Sequence, residues 1–377
     1  MASARCSRRR FLLGAASAFL VGGLGPRVAR AGSAPRTALE RAHTWMWNVQ
    51  AQDGRFASAT YGLLASGQSL TPFALDSLLS SPAPLLEGRE AAVSNAIRAM
   101  SKMRSASGAL GFAGPVPDYP CYATGLYLSC LGRARPEGWR DLAAPSIGWL
   151  RGQQLRAADG WAGHPAQGGF GMGTEQRLAP PHAGHVDLSM TRRVVEGLRA
   201  VGVPADDPAL VEVQDFVGRC QTADGSFVYS PVELALNKGL RDREGRPRGY
   251  GSATTDGLLC LDALGPDAFG KGGGDRATRA LAWLHRSHRV DRNPGLDGGP
   301  MEAFAEAMRG YYRAGVARCF ASHGGPDGWR EGLGAVLVAE QRPDGSFVGT
   351  SPLQKEDDPI VATSFAVQAL AAIAVPA

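Results

Sequence analysis

The segment Gln221-Thr222-Ala223-Asp224-Gly225-Ser226-Phe227 carries a pattern, Gln-x-x-x-Gly-x-Phe, that returns at Gln50 to Phe56 and at Gln341 to Phe347. Its glycines, Gly54, Gly225 and Gly345, stand 171 and 120 residues apart, which divides into three periods of 57 and two of 60. Such a period implies about six copies of one supersecondary unit, none able to bury its apolar face alone. Weakened copies stand where that arithmetic puts them: Ser107-Gly108-Ala109-Leu110-Gly111-Phe112, Gln154 followed by Asp159-Gly160-Trp161, and Pro294-Gly295-Leu296.

Each unit reads as helix, glycine turn, helix. The first helices, 39–50, 90–103, 146–154, 208–221, 276–288 and 330–341, mix charged and apolar residues at helical spacing. The second set, 70–79, 122–131, 190–201, 254–264, 302–316 and 361–373, is mostly more apolar and richer in small residues. Leu126 to Leu131 and Ser364 to Leu370 have almost no charged face, so they belong inside. Two concentric layers follow, apolar helices within and amphipathic ones without. Asp-Gly suits the corners, because glycine takes positive φ without a Cβ clash and Asp bonds the following backbone. No β alternation of useful length appears, and the expected fold is all-α.

Residues 1–31 read as a cleavable signal: a basic head, an apolar middle from Phe11 to Leu24, and Ala29-Arg30-Ala31 before Gly32. Ser7-Arg8-Arg9-Arg10-Phe11-Leu12 looks like a twin-arginine export motif, with an ordinary secretory signal as the alternative. This predicts a periplasmic or otherwise exported protein formed by residues 32–377. The apolar middle is short and glycine-rich for a membrane span, so no integral membrane protein is expected after cleavage. The signal holds six arginines and no acid, leaving 34 basic against 35 acidic residues in the remainder. The basic pI therefore belongs to the signal, and a nucleic-acid partner is not expected. Of the five remaining cysteines, Cys121, Cys130, Cys260 and Cys319 lie in or beside apolar helical stretches without metal spacing. They read as core residues rather than a disulfide framework.

The Gln-x-x-x-Gly-x-Phe elements resemble the repeats of the squalene and hopene cyclase and protein prenyltransferase superfamily. That resemblance implies an α/α toroid of about six helical hairpins. More closely, Asp118 to Thr124, His185 to Thr191, Asn237-Lys238 and Tyr250 to Gly257 look like a group of exported bacterial relatives, and the resemblance covers residues 39–373. Two departures bear on activity. The Asp-x-Asp-Asp motif with which class II cyclases protonate a terpene is absent, the nearest run being Glu356-Asp357-Asp358-Pro359. The prenyltransferase zinc site is not supported either, because Asp256 and Cys260 are four residues apart instead of two.

His182-Ala183-Gly184-His185-Val186-Asp187 is the densest cluster of ligand types. It offers three metal positions with one open, or a substrate-contact loop in which Asp187 caps the next helix. The second is the reading taken, so no metal and no cofactor are assigned. His285 and His288, at the end of an outer helix, suit the helix dipole. In a ring of hairpins every loop entering an inner helix reaches one rim. Tyr61, Asp118, Tyr119, His182, His185, Asp187, Tyr250, Asp256, Glu302, Asp357 and Asp358 should therefore gather there, beside the long loops 162–187 and 228–251. The expected catalytic candidates are Asp187, Asp357 and Asp358. The expected ligand contacts are His182, His185, Tyr119, Tyr122, Tyr250, Asp256 and Glu302. Seven aromatics, Phe73, Tyr122, Tyr127, Phe304, Tyr311, Tyr312 and Phe365, serve either a central cavity or the packing between layers. The function expected is binding of a hydrophobic, isoprenoid or lipid-like small molecule in that cavity. A toroid that binds protein or peptide without catalysis is one alternative. A periplasmic carbohydrate-active α/α toroid enzyme is another.

Overall fold

The computed structural model describes residues 33–265 and 273–374. The expected signal, residues 1–31, lies outside them. Six inner helices stand in a ring: α2 (Leu70–Leu79), α4 (Pro120–Ala134), α6 (Leu188–Ala200), α8 (Gly251–Leu264), α11 (Arg309–His323) and α13 (Pro359–Ala374). Each packs on the next, and α13 packs on α2 to close the circle. Around them run α1 (Ser33–Asn48), α3 (Glu90–Met103), α5 (Trp139–Gln153), α7 (Pro208–Cys220), α9 (Gly273–Ser287) and α12 (Trp329–Glu340). The short α10 (Ala303–Ala307) precedes α11. The first helix, α1, packs on α12 and α13, so both ends of the described chain meet in the wall.

The layering follows the distribution of charge. Every residue of α2 from Leu70 to Leu78 is buried, as are Ile360, Val361 and Thr363 to Ala371 of α13. The outer helices bury one stripe only, such as Leu210, Val213, Phe216 and Val217 of α7. All five cysteines of the described residues are buried and free, as small core residues are.

The repeated Gln has a definite mechanical role. Its side-chain amide has two N–H donors, and each finds a backbone carbonyl. Gln50 Nε2 donates to Gly54 O and to Ala92 O of α3, both at 3.0 Å. Gln154 donates to Gly168 O and to Ala209 O of α7, Gln221 to Gly225 O and Arg276 O of α9, and Gln341 to Gly345 O and Ala38 O of α1. Each Gln thus ties its own corner to the first turns of the next outer helix. The glycine makes that approach possible: Gly225 has φ +93°, and a Cβ there would lie 2.5 Å from Arg279 O. The residue two after the glycine ties the corner inward. Phe56, Leu110, Phe170, Phe227 and Phe347 each donate their backbone N–H to a threonine hydroxyl of an inner helix, Thr71, Thr124, Thr191, Thr254 and Thr363.

Three sequence expectations change. The third corner is Gly168-Gly169-Phe170 and not Gly160-Trp161, because an insertion separates Gln154 from the glycine it holds at 3.1 Å. After that corner comes a two-stranded antiparallel ladder, β1 (Phe170–Gly171) and β2 (Val186–Asp187), the one named sheet among the described residues. In the second unit Arg104 stands for Gln and its guanidinium reaches Leu142 O of α5. The helix expected over 302–316 is broken at Met308. There Glu356, from the following unit, accepts from Gly310 N and Tyr311 N and caps α11 anew. No helix among the described residues is long and apolar enough to cross a membrane.

Candidate functional site

The ring gathers the loops entering the inner helices at one rim, and the carboxylates there largely cap helices. Asp187 Oδ1 accepts from Met190 N of α6. Asp358 accepts from Ile360 N and Val361 N of α13 and from the Ser58 hydroxyl. Asp118, from the loop before α4, accepts from the backbone and hydroxyl of Ser69 ahead of α2. Asp357 accepts from the Tyr61 hydroxyl. The backbone bonds to Asp187, Asp358 and Asp118 satisfy otherwise orphaned N–H groups, and the negative charge suits the positive end of each helix.

Inside the rim lies a cavity of about 220 Å³. Its apolar lining is Leu64, Leu70, Phe73, Met190, Met308, Val361 and Phe365. Phe365 meets Phe73 and Tyr311 edge-on, with centroids 4.9 and 5.4 Å apart. Above this stand the phenols of Tyr119, Tyr122, Tyr229 and Tyr250, with Lys238 and Lys355. Of the seven aromatics weighed from sequence, Phe73, Tyr122, Tyr311 and Phe365 line the cavity. Tyr127 and Tyr312 turn outward, their hydroxyls meeting Ser101 of α3 and His288 after α9, and Phe304 lies beside Lys238.

Of the expected ligand contacts, Tyr119, Tyr122, Tyr250 and Asp256 border the cavity. His185 sits behind it, its Nε2 3.0 Å from the Tyr229 hydroxyl and 3.1 Å from Asp187 Oδ2. His182 is exposed on its loop, and Glu302 is a half-exposed surface acid 3.9 Å from Arg292. Neither borders the cavity. Among the described residues no group of three or more His, Cys, Asp and Glu side chains is placed to hold a metal ion.

The cavity ends on a buried ionic plug across the axis of the ring. Arg192 Nε lies 2.8 Å from Asp256 Oδ1, and Asp256 also accepts from the Tyr311 hydroxyl at 2.7 Å. Arg192, Arg193 and Arg318 all reach Glu196, at 3.2, 3.2 and 2.7 Å. Arg133 reaches Asp76 at 3.1 Å, and Ser129 donates to the same oxygen. Gln368 of α13 donates to Ser77 of α2. All six inner helices thus contribute to one polar layer. Beneath it a second opening, about 730 Å³, lies among the C-terminal ends of the inner helices. Burial alone would raise the Glu196 carboxyl, but the charges of Arg192, Arg318 and Arg193 outweigh it and hold it well below the usual range. Asp256 goes the other way: burial raises it, and Arg192 only partly offsets that.

The plug escaped the sequence reading because charged residues in a helix ordinarily mark a solvated face. One signal was present: Arg192, Arg193 and Glu196 interrupt an inner helix at positions where most other inner helices are uncharged.

Glu356 borders the cavity and is pushed up to about 8 by burial, against the lowering effect of its two backbone donors. Between the ordinary 4.5 and that value the folded chain keeps a proton that the unfolded chain has released. Its share of stability is therefore complete below the ordinary value and is lost as pH climbs through about 8. The wild-type unfolding midpoint should fall from about pH 5 to about pH 9 more steeply than that of Glu356→Gln. Parallel slopes in thermal scans of the two proteins would refute this.

No protein-family model and no curated protein matches the chain. Solved structures do. A variant of the type II terpene cyclase MstE from Scytonema, in complex with geranylgeranyl dihydroxybenzoate, is 12% identical with a TM-score of 0.59, covering 92% of this chain and 99% of the cyclase chain. A protein from Actinoplanes is 17% identical, with a TM-score of 0.55 over 90% of this chain and 100% of its own. Unsaturated glucuronyl hydrolase from Bacillus sp. GL1 is 13% identical, with a TM-score of 0.56 over 90% and 96%. At such identities the likeness is one of fold. The chain has the α/α toroid fold, an architecture it has in common with both the cyclase and the glucuronyl hydrolase.

Proposed function

We propose that the toroid binds a small hydrophobic molecule, isoprenoid or lipid-like, in the cavity at its capped rim. The observation that carries this reading is the apolar floor of Phe73, Phe365, Leu70, Val361, Met190 and Met308, closed below by the ionic plug and topped by phenols. Apolar pockets with a few convergent polar groups are the usual form of a small-molecule site. Asp187, Asp357 and Asp358, the catalytic candidates of the sequence, stand around the rim. The acids bordering the cavity itself are Asp256 and Glu356. If the bound molecule is transformed, Glu356, which burial keeps protonated, is the proton donor.

Those two carboxyls also favour a second reading, a carbohydrate-active enzyme working with paired acids. We further infer that residues 1–31 direct export by the twin-arginine route. Replacing Arg8 and Arg9 by Lys should hold the protein in the cytoplasm, as fractionation would read.

Native mass spectrometry of the protein purified from its own host should show a retained mass that organic extraction removes. Calorimetry should show binding of octan-1-ol and no binding of uronic-acid disaccharides. Absence of a retained mass together with disaccharide binding in place of octanol would overturn the hydrophobic reading.

A further inference from the structure

The basic residues of the chain are divided unevenly, and the rare kind is gathered in one place. Of 40 basic residues only four are lysines: Lys102, Lys238, Lys271 and Lys355. Two of them, Lys238 and Lys355, border the same cavity. Among the described residues neither has a carboxylate within ion-pair distance, whereas the arginines of the plug are all paired. Lys238 Nζ lies over the rings of Tyr229 and Phe304, 4.9 and 5.2 Å from their centroids. Lys355 Nζ lies over Tyr61 and Tyr119, at 5.9 and 5.8 Å, and 3.4 Å from the Tyr119 hydroxyl. Aromatic faces steady a cation without consuming its hydrogen-bond donors. The acid whose field Lys238 feels, Asp187, is already engaged by Met190 N and His185.

Two independent observations concern the wall of this same cavity. Tyr250 borders the cavity, and its hydroxyl, fully buried, has no hydrogen-bond partner among the described residues. A buried polar group left unpaired calls for a partner that the protein does not supply. The backbone is also unusual there. Only three non-glycine residues among those described have positive φ, and two of them, Tyr119 at +45° and Lys355 at +61°, touch one another at the mouth. Non-glycine residues persist in that region where the surrounding structure holds them, and such sites cluster around ligands.

We propose that Lys238, Lys355 and Tyr250 form a seat for the anionic head group, carboxylate or phosphate, of an amphiphile whose apolar part occupies the floor of the cavity. Two ammonium groups offer donors only and the phenol can add its O–H, and a carboxylate or phosphate oxygen is the complementary acceptor. Lysine, a compact point charge with freely turning donors, suits a narrow mouth better than the broad guanidinium fork used elsewhere in this chain. This seat rests on the proposed hydrophobic cavity and names the ligand class it takes.

The test is titration calorimetry on the mature chain with three probes that share one octyl-length tail: octan-1-ol, octanoate and octyl phosphate. At least one anion should bind about tenfold or more tighter than octanol, and the stronger of the two identifies the head group. Lys238→Met and Lys355→Asn, the second chosen because Asn tolerates positive φ, should each weaken that anion about tenfold. Both should leave octanol within about twofold. If octanol binds as well as both anions, the seat is overturned while the cavity stands. If no probe binds, the cavity falls with it. The wild-type comparison of anion with alcohol decides the matter even if a variant does not fold.

Discussion

Glu196→Ala should be among the most damaging single changes in the ring, lowering stability by about 3–5 kcal/mol. Glu196 is the common acceptor for Arg192, Arg193 and Arg318, and the first two are only 2% exposed. Without it three guanidinium charges face each other, with Asp256 and Asp76 left to balance them. Taking one partner from a buried ion network costs far more than the network adds to an apolar alternative, because the charges left behind have neither water nor counterion. At roughly 2 cal/mol/K of unfolding entropy per residue, a loss of that size lowers the midpoint by about 4–7 °C in a chain this long. Glu196→Gln keeps the volume and an acceptor and should cost less. Circular dichroism melts of the three proteins settle the order, and an alanine variant within about 1 kcal/mol of wild type would mean that water reaches the plug.

Gly168→Ala should cost about 3–5 kcal/mol, the sum of a left-handed backbone strain and an overpacking term. The residue has φ +83°, and a Cβ would stand 2.0 Å from Glu212 O on α7. That oxygen belongs to a helix backbone, so relief requires the outer helix to move off the corner that Gln154 holds to it. Gly202 is the internal comparison: its φ is +88°, but nothing lies within 4 Å of the added carbon. Gly202→Ala should carry the strain alone, about 1–2 kcal/mol. Denaturant unfolding of both variants separates the terms. Equal losses would show that the close approach between corner and helix contributes nothing.

The spacing of Gly54, Gly225 and Gly345 made the ring legible, because a corner that admits only glycine leaves its mark in sequence wherever the corner recurs. The third corner was misplaced because an insertion between Gln154 and Gly168 put a different glycine, Gly160, near the expected spacing. The gathering of Tyr119, Tyr250 and Asp256 around one cavity followed from topology alone. What topology could not tell is which way a side chain turns. Tyr311 and Tyr312 are neighbours, yet one borders the cavity and the other bonds to His288 in the outer layer. The plug was illegible for another reason. The burial of Arg192 depends on partners 64 residues on, at Asp256, and on Arg318 through Glu196, and no local pattern encodes that closure. The break before α11 is similar, since the Glu356 cap comes from 46 residues downstream.

The bond from Gln341 to Ala38 spans 303 positions, and α1 packs against α12 and α13. During synthesis the growing chain therefore carries an open seam: α1 lacks α12 and α13, the helices it packs on, until the final hairpin emerges. Completion of the drum is a last-moment event, and a product truncated before α12 would expose apolar flanks on both lips of the gap, an invitation to pair with another unfinished copy.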